Sequence, residues 1–188
     1  MIKVLANKID QIIKPEDITI LVALRHHAEW IESWHNQMVK DQGNQIKRFS
    51  VKDGLGIRYL QKAGLNICIV SGGKEDVIKN RAKDLNIQHI YCGVKNKKEK
   101  VEFLRDEFKV KKDNILYLGD DLNDLTVRKS VGLLIAPNNA SKNFKKYCNA
   151  ILKNNGGFGA VRELAERLLR GTKLLKSIEK EGFSELKN

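Results

Sequence analysis

A chain of 188 residues with 35 Lys and Arg against 23 Asp and Glu carries a formal charge of +12 at neutral pH. That length is most simply one domain, large enough to bury a core without disulfides, and the charge suits nucleic acid, an anionic membrane surface or a small polyanionic substrate. The cations are spread over helical segments and alternate with acids, without zinc-finger spacing, RNP-type aromatics or an Arg-rich arm, so the expectation is solvated helix faces rather than a nucleic-acid surface. Cys68, Cys92 and Cys148 lack metal spacing and read as reduced, mostly buried thiols. No stretch approaches the ~18 apolar residues of a membrane span, and the first 14 residues hold no unbroken apolar run, so a cytoplasmic protein with no membrane partner is expected.

The apolar positions Ile2, Leu5, Ile9, Ile12 and Ile13 recur at helical spacing, and Pro15 ends that helix. The run from Ile18 to Leu24 is the first buried strand. Ala28, Ile31, Trp34 and Met38 predict a helix, then Asp41-Gln42-Gly43-Asn44 a turn and Ile46 to Val51 a short strand. From Asp53 a helix runs to Gly64, followed by a strand over Ile67–Val70 and a helix from Glu75 to Leu85, ended near Asn86. Next come a strand over His89–Tyr91, a helix from Lys97 to Phe108 and a strand over Ile115–Leu118. The chain then predicts a helix over Leu122–Lys129, a strand over Gly132–Ala136 and a long helix over Gly159–Arg170. Alternation of this length implies an α/β three-layer sandwich with a parallel, Rossmann-like sheet. Residues 1–170 read as one domain, 28–51 as a small flap, and 171–188 as a charged tail, frayed or docked on a partner.

The chemistry concentrates at predicted strand ends, where open α/β sheets bind ligands. Gly119-Asp120-Asp121-Leu122-Asn123-Asp124 follows four apolar residues. Three carboxylates within five residues repel one another unless a cation lies among them, and oxygen ligands suit Mg²⁺; the alternative is acids that complement a helix dipole. Asp120 and Asp124 are read as metal-site acids, with Asp121 beside them. Ser71-Gly72-Gly73 can present a hydroxyl and backbone N–H groups to a phosphate, or simply form a loop. Lys97, at the next strand-to-helix turn, can neutralise a phosphate beside the acids, or belong to a solvated basic loop with Lys95. A hydroxyl, a Lys and an acidic cluster along one sheet edge together point to phosphoryl chemistry.

These motifs resemble the haloacid dehalogenase superfamily, and in wording its cap-less sugar-acid phosphatases of the 3-deoxy-manno-octulosonate 8-phosphate phosphatase type. The matching stretches are Phe49 to Ile57, Ile69 to Gly72, Arg81 to Leu85, Gly93 to Lys97, Gly119 to Leu125 and Gly156 to Glu163, within roughly Ile46 to Leu169. The resemblance implies a hydrolase of lipopolysaccharide biosynthesis acting on an acidic sugar phosphate of eight or nine carbons. It assigns Ser71 and Gly72 to the phosphoryl group and Lys97 and Asp120 to catalysis. Mg²⁺ falls to Asp120 with Asp121 or Asp124, and substrate contact to Arg162. It further implies a homotetramer in which the flap and Gly-rich tail of one subunit close a neighbour's site.

The first strand departs from that pattern. Where the family has Asp-x-Asp-Gly, this chain has Leu24-Arg25-His26-His27-Ala28, and the nearest following acids are Glu29 and Glu32. Loss of an essential nucleophile costs on the order of 10⁴-fold in rate. Three readings stand side by side. The chain is an inactive relative that binds an anionic sugar phosphate through Arg25, His26 or His27 with Ser71 and Lys97, a tetramerisation or binding module linked to nucleotide-sugar synthesis. Alternatively a His acts as nucleophile. Thirdly, residues 25–40 are altered from a functional parent, since Leu24 to His27 back-translates so that a one-base slip reads Phe-Asp-Ile. Glu32 and His35 share a helix face but lack metal ligands from a second element. Trp30 and Trp34 suit packing or subunit contact, and Gly73 stands where relatives often carry Arg.

Overall fold

The computed structural model describes residues 19–22, 50–73 and 76–184. The expectations placed on residues 1–18, 23–49 and 185–188, including most of the flap and all of Arg25 to Ala28, lie outside the described residues. Among the described residues six parallel strands form one sheet: β1 (Thr19–Val22), β2 (Ile67–Val70), β3 (His89–Tyr91), β4 (Ile115–Leu118), β5 (Leu133–Ala136) and β6 (Ala150–Ile151). Their order is β3-β2-β1-β4-β5-β6. β1 is central, with Ile20 opposite Ile67 on one side and Leu116 on the other. Strand order reverses there, so the crevice for a ligand lies beyond the carboxyl ends of β1 and β4.

Residues of period two divide between two cores. Ile67, Ile69, Leu116 and Leu118 share one with α1 (Val51–Lys62), α2 (Asp76–Asp84), α5 (Ala160–Leu168) and α6 (Lys173–Glu181). Cys68, Val70, Ile115 and Tyr117 share the other with Val101 and Leu104 of α3 (Lys97–Glu107) and Phe144 of α4 (Lys142–Lys145). A sheet apolar on both faces and covered on both is the three-layer α/β sandwich, with Rossmann-like strand order, that the alternation implies. Helix ends follow local chemistry. The Ser50 hydroxyl accepts from the Asp53 N–H to start α1. At the end of α2, Asn86 takes a left-handed φ of 54° while its N–H and that of Ile87 reach the carbonyls of Lys83 and Ala82. Among the described residues no helix is long and apolar enough to cross a membrane.

Four details differ from the sequence reading. Val51 opens α1 instead of ending a strand, because the Ser50 cap overrides its β-branched preference. The stretch after the acids is a 3₁₀ helix, Leu122–Val127, tightened by the Asp121 and Asp124 side chains at its start. A short β6 adds an edge strand. The tail forms α6, capped by Thr172, and sinks Leu175 and Ile178 into the first core of its own chain. Phe183 then stacks on Tyr59 at 5.1 Å, and the Lys62 ammonium donates to the Ser184 carbonyl at 2.8 Å.

The joint between α1 and α5 sets where the last loop lies. A Cβ on Gly56 would stand 2.6 Å from the Arg162 Cα, so only glycine permits this approach. Asp53 uses the proximity: its carboxylate accepts from the N–H groups of Gly159 at 3.1 Å, Val161 at 2.8 Å and Arg162 at 3.4 Å. Gly159, the residue in the cap position, has no side chain to do this. One carboxylate from α1 therefore satisfies three of the four orphan donors of α5.

Gly56→Ala is expected to lower stability by about 1–3 kcal/mol, measured by urea unfolding, because helix backbones must part. A second expectation concerns alkaline pH. Burial, with the negative charges of Glu107 and Asp124, pushes the Cys68 and Cys148 thiols up to about 12 from 9.0. A raised folded pKa makes the unfolded chain release its thiol protons first, so this contribution is whole below pH 9 and lost as pH climbs from 9 toward 12. The unfolding midpoint should fall above pH 9, and fall less steeply in the Cys68→Ala, Cys148→Ala double variant.

Candidate active site

The carboxyl ends of β2, β3 and β4 bring Ser71, Lys97 and the acidic cluster to one edge. Ser71 follows β2 and is fully buried. Its N–H donates to the Tyr91 carbonyl at 2.8 Å, its carbonyl accepts from the Val94 N–H at 2.9 Å, and its Oγ accepts from the Gly73 N–H at 3.2 Å. The turns after β2 and β3 are thereby stitched together, which ties the hydroxyl to the turn that leads into Lys97. Gly72 is exposed in that turn. A Cβ there would meet only the Val94 carbonyl, at 3.7 Å, so sterics do not demand glycine at this position.

Lys97 is the first residue of α3, behind the Asn96 cap, and is only 4% exposed. Its ammonium pairs with Asp124 Oδ1, and Asp124 is wholly buried. The Tyr117 phenol donates to the same oxygen at 2.9 Å. Asp124 Oδ2 accepts from the N–H groups of Asp120 at 3.0 Å and Asp121 at 3.3 Å. Four donors fill the roughly four lone-pair sites of one carboxylate. In this geometry Asp124, expected as a metal-site acid, uses its oxygens to hold the cation and the turn. Gly119 makes this possible, since a Cβ there would lie 2.9 Å from the Asp124 carboxylate.

Asp120 and Asp121 are the other two acids of the cluster. Asp120 is 6% exposed, with its carbonyl accepting from the Ser141 N–H at 2.8 Å. Asp121 Oδ1 accepts from the Leu122 N–H at 2.7 Å. Among the described residues no three of His, Cys, Asp and Glu converge as a metal-holding group. Two neighbouring carboxylates are nonetheless a hard, oxygen-only donor set of the kind Mg²⁺ takes while keeping several waters, so the residues present fit that ion.

Arg162, the residue expected to contact substrate, stands on the joint between α1 and α5. Its guanidinium lies 4.2 Å from the Tyr59 ring centroid and donates from Nε to Glu166 at 2.6 Å, on the α1–α5 joint. It takes no part in the hydrogen bonds that unite Lys97, Asp124, Asp120 and Asp121. Arg25, His26 and His27 lie outside the described residues. Sequence reading missed Tyr117 and Asp53. A lone phenol in the otherwise aliphatic run Ile115–Leu118 was the available signal for the first, since a buried hydroxyl needs a partner. Nothing in sequence linked Asp53 to a helix more than 100 residues away.

An open parallel sheet of this order, with Ser, Lys and Asp gathered on its carboxyl edge, is the architecture that haloacid dehalogenase-like hydrolases share, and that family matches residues 90–164. The chain belongs to this superfamily. Within it, the chain falls in the 3-deoxy-D-manno-octulosonate 8-phosphate phosphatase-like subfamily. It is 31% identical over 160 residues to the phosphatase of that name from Escherichia coli K12, covering 85% of this chain and 84% of the relative. The Moraxella catarrhalis phosphatase, in complex with magnesium ion, phosphate ion and KDO, superposes with a TM-score of 0.74 at 28% identity, over 93% of this chain and 95% of that one. The cobalt-bound Haemophilus influenzae phosphatase gives 0.70 at 27% identity, over 83% and 90%.

Removing one partner of a buried ion pair strands the other, so Lys97→Met is expected to cost about 3–5 kcal/mol. Asp124→Ala should cost more. It strands the ammonium, the Tyr117 hydroxyl and two backbone N–H groups together, and urea unfolding of both variants measures the order.

Proposed function

We propose that this chain is a Mg²⁺-dependent phosphatase of an acidic sugar phosphate, 3-deoxy-manno-octulosonate 8-phosphate or a nine-carbon analogue, working as a homotetramer. The observation that carries the reading is the buried Lys97–Asp124 pair beside Asp120 at the switch point of the sheet. The relatives' substrate, and the magnesium, phosphate and sugar acid held by the Moraxella protein, supply the ligand class. Lys97 presents a cation to the phosphoryl oxygens from a fixed position, and the Ser71 hydroxyl adds a donor from the neighbouring turn. Asp120 and Asp121 would hold Mg²⁺, which when bound supplies further positive charge to the transferring group. Preorganised charge of this kind is the main protein contribution to phosphoryl transfer.

The residues Leu24 to Ala28 favour a second reading. No carboxylate stands at the end of β1, where relatives of this superfamily carry the attacking Asp, and Arg or His⁺ there repels a metal cation. In that reading the same edge binds the sugar phosphate without hydrolysing it. Mg²⁺-dependent phosphate release from a panel of sugar-acid phosphates decides between them, with Asp120→Asn as the control. Release that disappears in the control establishes the phosphatase and makes His26→Ala and His27→Ala the next variants. Binding of the same sugars without release establishes the recognition module, and neither binding nor release refutes both.

A further inference from the structure

We infer that Tyr117 is a positioning residue for the phosphate-facing cation: its phenol O–H, donated to Asp124 Oδ1, sets the place of the Lys97 ammonium. This inference rests on the proposed reading of Lys97 as the group that meets phosphate.

Tyr117 lies in the middle of β4 with no exposed surface, packed in the second core among Val101, Leu104, Val127 and Phe144. Packing alone does not account for a phenol there, because an aliphatic side chain or Phe fills such a slot without a polar atom to satisfy. The hydroxyl meets the one carboxylate that also binds Lys97, at 2.9 Å. It shares Oδ1 with the ammonium, while the backbone of Asp120 and Asp121 holds Oδ2. The two oxygens thus serve different halves of the site. Oδ2 shapes the turn that bears the metal-site acids, and Oδ1 carries the cation, with the phenol as the one donor on that oxygen, among the described residues, that comes from a strand. Lys97 reaches Asp124 through a flexible four-carbon stem, so its own pairing does not fix where the carboxylate points. The strand-borne phenol does.

Removing the hydroxyl takes one charge-assisted donor from Oδ1 and leaves the ammonium as its partner among the described residues. Lys97 is then drawn more tightly onto Asp124 and offers less to a ligand anion. The turn of Asp120 and Asp121, held through Oδ2, keeps its shape. Phosphate affinity should therefore fall while metal affinity stays, a separation that a general loosening of the core does not produce.

The test uses the full chain, inorganic phosphate and Mg²⁺, each titrated calorimetrically, phosphate in saturating Mg²⁺. Tyr117→Phe is expected to weaken phosphate by roughly tenfold, the usual order for a hydrogen bond to a charged group, with the Mg²⁺ constant within twofold. Val127→Ala, which thins the same core without touching a hydrogen bond, should leave the phosphate constant within twofold. Unchanged phosphate binding in Tyr117→Phe, equal loss of phosphate and Mg²⁺, or the same loss in Val127→Ala overturns the inference. A second measurement needs no folded variant at position 117. In the unsubstituted chain labelled with fluorotyrosine, with Tyr59, Tyr91 and Tyr147 assigned by Phe replacement, the remaining fluorine resonance should move on adding phosphate; a resonance that stays still also overturns it. Phosphate that fails to bind the unsubstituted chain refutes the proposed function itself, an outcome distinct from all of these.

Discussion

A carboxylate with no access to water needs protein groups in place of its hydration, and Asp124 shows how much of a fold that requirement can organise. Its four donors come from three places: the N-terminus of α3, the interior of β4 and the turn beyond it. Each satisfied lone pair is a distance restraint between segments that are remote in sequence. The cost of leaving any one unsatisfied, about 1–3 kcal/mol, makes other arrangements of that edge poor competitors. The buried charge is thus less a source of net stability than a device that admits one geometry.

The opposite side of the sheet uses the same logic without a cation. Among the described residues Asp53 is met by backbone N–H groups at the positive end of α5, and it reaches them because Gly56 lets the helices touch. The loop before α5 is held at its other end by Glu163, whose carboxylate accepts from the N–H groups of Lys153 and Asn154 at 2.9 and 2.7 Å. Asn139 and Asn155 tie it to the turn after β5 through Gly156 and Asn138. The Gly-rich stretch of residues 156–159 is therefore clamped by side chains rather than by its own residues. α6 and Phe183 close over the outer face of α1, so the charged tail completes the core of its own chain.

What was legible beforehand depended on whether a signal was local. The alternation of buried strands and helices, the turn at Asn86, and the placing of Ser71, Lys97 and Asp120 at strand ends all follow from residues within one element and its flanks. The 3₁₀ helix after the acids was misread because apolar spacing cannot separate it from an α-helix when the first turn is bound by Asp121 and Asp124 side chains. The pairing of Asp124 was hidden for a related reason: three acids within five residues look alike until one of them meets a Lys 27 residues earlier in the chain. Nothing in sequence reveals the ring of Tyr59 beneath Arg162.

The sequence by itself determined the layered α/β class, the edge at which chemistry gathers and the superfamily, because hydrophobic period and strand-end motifs are properties of short stretches. It also states, without any structure, that no carboxylate stands at the end of β1. Only the tertiary structure decided which acid pairs with the Lys, that Tyr117 belongs with them, and that Asp53 caps a helix it does not precede. Those choices are made by burial and by hydrogen-bond demand between distant segments. Chain order carries neither quantity until the sheet has brought those segments together.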